Sequence, residues 1–176
     1  MRTLEQMTLS LIRAPFLTYE LSQIMQRLSL TPVSIVQLRP MTESLELSAF
    51  FPGVTAERLY RAWLDSAEHA AMTGSPAQVE PHAGGRFTAW DGYIYGSTVE
   101  LQPFHLIVQA WRTTEFPAEA PDSRLEVWLD EKEGGVQVRL VHSEIPDGQG
   151  QDYREGWDEY YFMPMREYFL ESDRNR

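Results

Sequence analysis

The chain contains no cysteine and only one lysine, Lys132, among its 176 residues. Without cysteine there is no disulfide framework, no thiolate metal ligand and no cysteine nucleophile. The same absence is compatible with the cytoplasmic location expected for the protein. No stretch approaches the 18 consecutive apolar residues that a membrane-spanning helix requires. The Gly-x-Gly-x-x-Gly, Gly-x-x-x-x-Gly-Lys-Ser/Thr, Gly-x-Ser-x-Gly and His-Glu-x-x-His patterns are also missing, so nucleotide binding, serine-hydrolase chemistry and zinc-protease chemistry have no support. The four histidines, His69, His82, His105 and His142, include no pair at i, i+3 or i, i+4. Neither a metal site nor a cofactor is therefore expected.

Basic residues are scarce. Fifteen Lys and Arg stand against 26 Asp and Glu, for a net charge of -11. Such a surface repels phosphate backbones and anionic lipid headgroups, so neither nucleic acid nor a membrane is an expected partner. The plainer consequence of the charge is solubility.

What is present suffices for one sizeable core: hydrophobic residues make up 43% and aromatics 12%, and the length suits a single domain. Residues 1–40 differ in character. They carry Arg2, Arg13, Arg27 and Arg39 against Glu5 and Glu20. Three readings compete for this segment. It could be a true extension, partly disordered, with a short amphipathic helix marked by Leu21, Ile24, Met25 and Leu28. It could be a targeting peptide, against which stand Arg13, Pro15 and the lack of a small-residue cleavage site. Or Met41 could be the natural start, the reading slightly favoured, with residues 41–176 forming the folded domain.

In the main body, Leu45, Leu47 and Ala49 alternate with polar residues, as in a strand. Thr55 looks like a helix N-cap ahead of the stripe Leu59, Tyr60, Trp63 and Leu64, and Ser66 like the cap of a second short helix. Strand signals then recur with turns every 8–12 residues. Gly84-Gly85 opens a strand with Phe87 and Ala89, and Asp91-Gly92 is a hairpin turn. Tyr95–Leu101 and His105–Arg112 follow. Leu125, Val127 and Leu129 alternate with Glu126, Trp128 and Asp130. After Gly134-Gly135, one strand face carries Val136, Val138, Leu140 and His142. Last comes the clearest helix, in which Tyr153, Trp157, Tyr160, Tyr161, Pro164, Met165, Tyr168 and Phe169 form a broad apolar face. Pro164 lacks the donor for the Tyr160 carbonyl and crowds it, so a kink or break is expected there. The order strand, two short helices, about six strands, long helix predicts an α+β fold: a curved antiparallel sheet of about seven strands around the C-terminal helix.

Taken in order, Gly84-Gly85-Arg86-Phe87, Asp91-Gly92, Gly96, Pro103, Trp111-Arg112, the Val136–His142 strand, Ile145-Pro146 and Gly156-Trp157 resemble the helix-grip superfamily of START-like and birch-pollen-allergen-like proteins (SRPBCC). Within it, the residues from about Ser44 to Phe169 are most similar to the C-terminal domain of the activator of heat-shock protein 90 ATPase and its single-domain bacterial homologues. The resemblance implies the helix-grip fold. It also implies a possible partner in a heat-shock-protein-90-type chaperone. The eukaryotic activator has a separate N-terminal domain, and residues 1–40 are too short to supply one.

Aromatic side chains at helical spacing usually pack a core, but phenol and indole tips need polar partners when buried. A half-hollow interior with such walls suits an amphipathic ligand. The candidate ligand-binding residues are accordingly Phe87, Trp111, His142, Tyr153, Trp157, Tyr160 and Tyr161. His142 is read either as a core histidine or as a polar anchor for a ligand. Arg112 is expected on the outer face, paired with an acidic neighbour. Glu100 and Glu115 have acid–base chemistry, yet nothing in the sequence sets either beside a reactive partner. Three roles follow in order of preference: a binder of a small hydrophobic molecule, a chaperone-interacting protein, and a cyclase- or dehydratase-like enzyme.

Overall fold

The computed structural model describes residues 41–174; the readings made for residues 1–40 lie outside them. Strand β1 (Thr42–Pro52) is followed by helices α1 (Ala56–Leu64) and α2 (Ser66–Thr73). Six further strands come next: β2 (Ala77–Val79), β3 (Arg86–Ala89), β4 (Ile94–Gln102), β5 (Leu106–Thr113), β6 (Ser123–Lys132) and β7 (Gly135–Pro146). The chain then enters helix α3 (Gly150–Trp157), passes through a π-helical turn over Asp158–Phe162, and continues as α4 (Met163–Arg174).

The seven strands form one antiparallel sheet in the order β1-β7-β6-β5-β4-β3-β2. The two short helices carry the chain from one edge to the other, and five successive hairpin connections bring it back until β7 pairs with β1. The alternation seen in the sequence matches the burial. Leu125, Val127 and Leu129 on β6 are buried, whereas Glu126, Trp128 and Asp130 are only partly so. Val136, Val138, Leu140 and His142 are buried on β7. Between β6 and β7 the tight turn requires Gly134 at φ +79°, a conformation costly for any residue with a Cβ. The fold expected from the sequence, a curved sheet with a long C-terminal helix, is the fold observed.

Local signals held in part. Thr55 caps α1, its Oγ1 accepting from the Arg58 amide at 3.1 Å. Helix α2 is capped by Asp65 instead of Ser66: the Glu68 amide donates to Asp65 Oδ1 at 2.9 Å. The Ser66 hydroxyl is engaged elsewhere, accepting from the Val79 amide at 2.9 Å and tying α2 to β2. Strand β2, with three residues, is too short to show an alternation.

The anomaly at Pro164 is resolved one turn earlier. The Met163 amide bonds to the carbonyl of Asp158, five residues back. The widened turn accommodates the missing donor without ending the helix. It also preserves the apolar stripe. From Tyr153 to Phe169 an ideal helix drifts by about 160°, since 16 steps of about 100° overshoot four turns. The extra residue in the π turn takes back about 100° of that. Tyr153, Trp157, Tyr161, Met165 and Phe169 are all buried as a result.

Candidate functional site

Trp157 joins the helix to the sheet. Its indole N–H donates to His142 Nδ1 at 3.1 Å. The other imidazole nitrogen, Nε2, lies 2.7 Å from Ser123 Oγ, and the Ser123 hydroxyl donates to the Trp111 carbonyl at 2.6 Å. An indole N–H can only donate, so Nδ1 carries no proton; the Ser123 proton is committed to the carbonyl, so Nε2–H is the donor to Ser123 Oγ. His142 is thereby fixed as one neutral tautomer. It is fully buried, and that burial drives its pKa down to about 3. A second proton would set Nδ1–H against the indole N–H. Around this pair the Trp111 ring stands edge-on to His142 at 4.7 Å and tilted against Trp157 at 5.7 Å.

On the far side of Trp111 and Trp157 the packing opens into a cavity of about 360 Å³. The helix supplies Asp152, Tyr153, Gly156, Trp157, Tyr160 and Tyr161 to its wall, with Gln149 just ahead of it. The β3–β4 hairpin contributes Trp90, Tyr93 and Ile94, and β5 with its following loop contributes Trp111 and Glu115. The structure thus brings together five of the seven candidate residues: Trp111, Tyr153, Trp157, Tyr160 and Tyr161. His142 lies one layer behind, where it holds Trp157 without facing the cavity. Phe87 is also absent from the wall. It is 5% exposed in the core, with a ring atom 3.0 Å from where a Cβ on Gly96 would stand. A side chain at position 96 would also meet the Ala110 carbonyl, so glycine there leaves the space beside which the Phe87 ring packs.

The polar groups of the cavity form an ordered chain. The Glu115 amide donates to Thr113 Oγ1 at 3.2 Å, the Thr113 hydroxyl lies 2.8 Å from the Tyr153 oxygen, and the Tyr153 hydroxyl donates to Gln149 Oε1 at 2.8 Å. Because the Tyr153 proton goes to Gln149, Thr113 is the donor to Tyr153. Gln149 returns a bond to the Glu115 carbonyl at 3.1 Å. Nearby, the Tyr93 hydroxyl donates to Glu115 Oε2 at 2.8 Å. Burial, followed by that bond to Glu115, pushes the Tyr93 phenol up to about 12. Burial likewise raises Tyr153 and, more strongly, Tyr161, where a hydrogen bond from Trp90 opposes it. All three phenols therefore remain protonated at neutral pH.

Trp90 and Tyr93 were not singled out from the sequence. A signal was present, since two aromatics flank the Asp91-Gly92 turn. What could not be foreseen is that Trp90 and Asp91 both adopt φ +54°, where a bulky residue is disfavoured by about 1 kcal/mol or more. The Trp90 ring stands edge-on to Tyr160 at 5.3 Å, which closes one side of the cavity. Gln149 and Asp152 carried no advance signal, and Gly156 carried one only as part of the Gly156-Trp157 pair in the family resemblance; the start of the helix brings all three to the wall.

The other candidates lie elsewhere. Glu100 accepts from Gln102 Nε2 at 2.8 Å on exposed β4 and does not reach the cavity. Arg112 points outward from β5 and pairs with Asp122 at 3.1 Å, as expected. Among the described residues no group of three His, Asp or Glu side chains is placed to hold a metal ion. No helix among them is long and apolar enough to cross a membrane. A second and larger hollow of about 680 Å³, with Arg58, Tyr60, Glu68 and Phe104 in its wall, opens more widely to solvent and is lined by the charged Arg58–Glu68 ion pair.

Comparison with known proteins bears on this geometry. The family described as "Activator of Hsp90 ATPase homolog 1-like protein" matches residues 53–169. The chain belongs to this family. The human activator of 90 kDa heat shock protein ATPase homolog 1 is 30% identical over 113 residues, which are 64% of this chain and 33% of that protein. The chain therefore spans about a third of the length of the curated relatives it matches. An HSP90 activator from Plasmodium falciparum aligns with a TM-score of 0.62 at 26% identity, covering 68% of this chain and 91% of that one. Ara h 8.0201 aligns with a TM-score of 0.58 at 12% identity, over 74% of this chain and 99% of that one, a likeness in fold alone. The activator family that the sequence most resembles, within the helix-grip superfamily, is thus the family to which the chain belongs.

Proposed function

We propose that this member of the family binds a hydrophobic or amphipathic small molecule between the C-terminal helix and the sheet. The observation that carries the proposal is a half-open hollow of about 360 Å³ with indole and phenol walls and a few polar groups, the size and lining of a small-molecule site. Trp111, Tyr153, Trp157, Tyr160 and Tyr161 are its walls. The hydroxyls of Tyr93 and Tyr153 and the carboxylate of Glu115 are its polar contacts. His142 acts on the ligand only through Trp157. The first test is native mass spectrometry of freshly purified protein, which should show an added small-molecule mass that denaturation removes. Protein that is bare under native conditions and does not change its tryptophan fluorescence with any amphiphile at millimolar concentration would remove the reading.

The curated relatives favour a second reading, since they are named as activators of a 90 kDa heat-shock protein ATPase. On this reading the chain contacts a chaperone of that type through its outer surface, and the cavity is incidental. Immobilised protein should then retain the purified chaperone at micromolar concentration and alter its ATPase rate. A flat binding curve at 50-fold higher concentration would exclude it. We assign both roles to the cytoplasm.

A further inference from the structure

The cavity walls carry charge of one sign only. Glu115 and Asp152 are its two ionisable carboxylates, and no Lys, Arg or His contributes to the wall. Neither carboxylate takes part in an ion pair among the described residues: the four such pairs join Arg58 to Glu68, Arg61 to Glu57, Arg112 to Asp122 and Arg124 to Glu126. Arg112, the guanidinium nearest in sequence to Glu115, pairs with Asp122 and bonds to the carbonyls of Pro117 and Ala120. Glu115 and Asp152 are exposed, while Trp111, Trp157 and Tyr161 are buried. The cavity is thus apolar and aromatic in its depth and negative at its mouth.

Resting on the small-molecule reading above, we propose that the ligand is an organic cation: an ammonium group at the mouth carried on an apolar, preferably aromatic, body that fills the depth. Three effects act in the same direction. Trp90, Tyr93 and Tyr160 line the cavity, and aromatic rings attract a cation that comes to rest over them. Neither carboxylate is neutralised by a cation of the protein among the described residues, and the bond from Tyr93 leaves the charge of Glu115 in place, so a cationic head gains their attraction without displacing a resident ion-pair partner. A carboxylate ligand meets two like charges; the phenols of Tyr93 and Tyr153 are raised chiefly by burial, and the negative charge of Glu115 adds to it in both. Anionic fatty acids and phosphorylated lipids are therefore disfavoured, although a purely apolar cavity would accept their tails.

Three probes of nearly equal shape separate charge from burial: 2-(1-naphthyl)ethylammonium, 2-(1-naphthyl)ethanol and 1-naphthylacetate, titrated calorimetrically into the full chain at physiological salt. The ammonium should bind about tenfold more tightly than the alcohol, and the acetate most weakly. Glu115→Gln and Asp152→Asn, both at exposed positions, should each reduce ammonium affinity several-fold more than alcohol affinity, so that the preference for the ammonium shrinks. Equal or tighter binding of the alcohol or the acetate overturns the charge assignment and leaves the cavity reading standing. No binding of any probe overturns both. An ammonium preference untouched by either substitution means that the net charge of the whole chain, and not the mouth, attracts the cation, and this too overturns the proposal.

Discussion

Among single residues, His142 links sheet, helix and cavity, and it titrates in the direction that exposes this role. Its pKa is held to about 3 in the folded protein against 6.5 for the free side chain. Below pH 6.5 the unfolded chain takes up a proton that the native state refuses, so stability is complete above pH 6.5 and falls as the pH drops toward 3. By pH 5 the loss is about 2 kcal/mol. Carboxylates and the similarly buried His69 also respond to acid, so the comparison must be made with His142→Gln. That side chain offers an acceptor to Trp157 and a donor to Ser123 without a proton to gain. Urea unfolding at pH 7.5 and pH 5 should show the parent losing about 2 kcal/mol more than the variant; parallel losses would show that His142 is not held neutral. The sequence placed His142 on the inward face through its alternation with Val136, Val138 and Leu140. It could not show that Trp157, 15 residues later, would occupy the imidazole and hide it from the cavity. Phe87 is the same kind of case: strand alternation gave its face, but the room beside Gly96 settled where its ring lies.

The elements that hold these residues were largely legible, because hydrophobic period, turn residues and caps acted together. Long strands and the aromatic helix follow from repeated signals, whereas three-residue β2 and the left-handed Trp90–Asp91 turn depend on tertiary contacts that override local preference. The π turn is intermediate. Pro164 announced a defect, and the i, i+4 spacing of Tyr153, Trp157, Tyr161, Met165 and Phe169 called for a correction of one residue; both demands are met at Asp158–Phe162. If the turn is one inserted residue, removing one should be tolerated there and nowhere else in the helix. Deletion of exposed Glu159, combined with Pro164→Ala so that a regular helix can close, should keep Met165 and Phe169 in the core and cost at most about 1–2 kcal/mol. Deleting Glu167 instead would rotate Phe169 by about 100° away from Phe51, its edge-on partner at 6.1 Å. That loss should reach about 3 kcal/mol or more. Thermal unfolding of the two deletions, read side by side, decides the matter, and equal losses would show that the widened turn is not a register correction.

For the molecule as a whole, the question is whether the hollow or the outer surface carries the function, and Gly156 separates the two. It lines the cavity from α3, and a Cβ there would touch only Tyr160, at an ordinary 3.8 Å. Glycine inside a helix costs about 0.5–1 kcal/mol relative to alanine, so Gly156→Ala should raise stability by about that amount. Gly156→Leu adds the same helical preference and directs four carbons into the cavity, without cutting into Trp111, Trp157 or the core behind them. An unmodified outer surface follows from the same geometry. A small molecule held between helix and sheet should therefore lose at least about tenfold in affinity to Gly156→Leu, while a chaperone bound on the outside should be retained as by the parent chain. The reverse result, with chaperone capture lost and small-molecule binding intact, would place the working surface at the mouth of the cavity and make the hollow a consequence of the fold. Loss of both, in a variant whose unfolding midpoint is unchanged, would mean that the partner inserts a side chain where the ligand was placed, so that cavity and surface are one site.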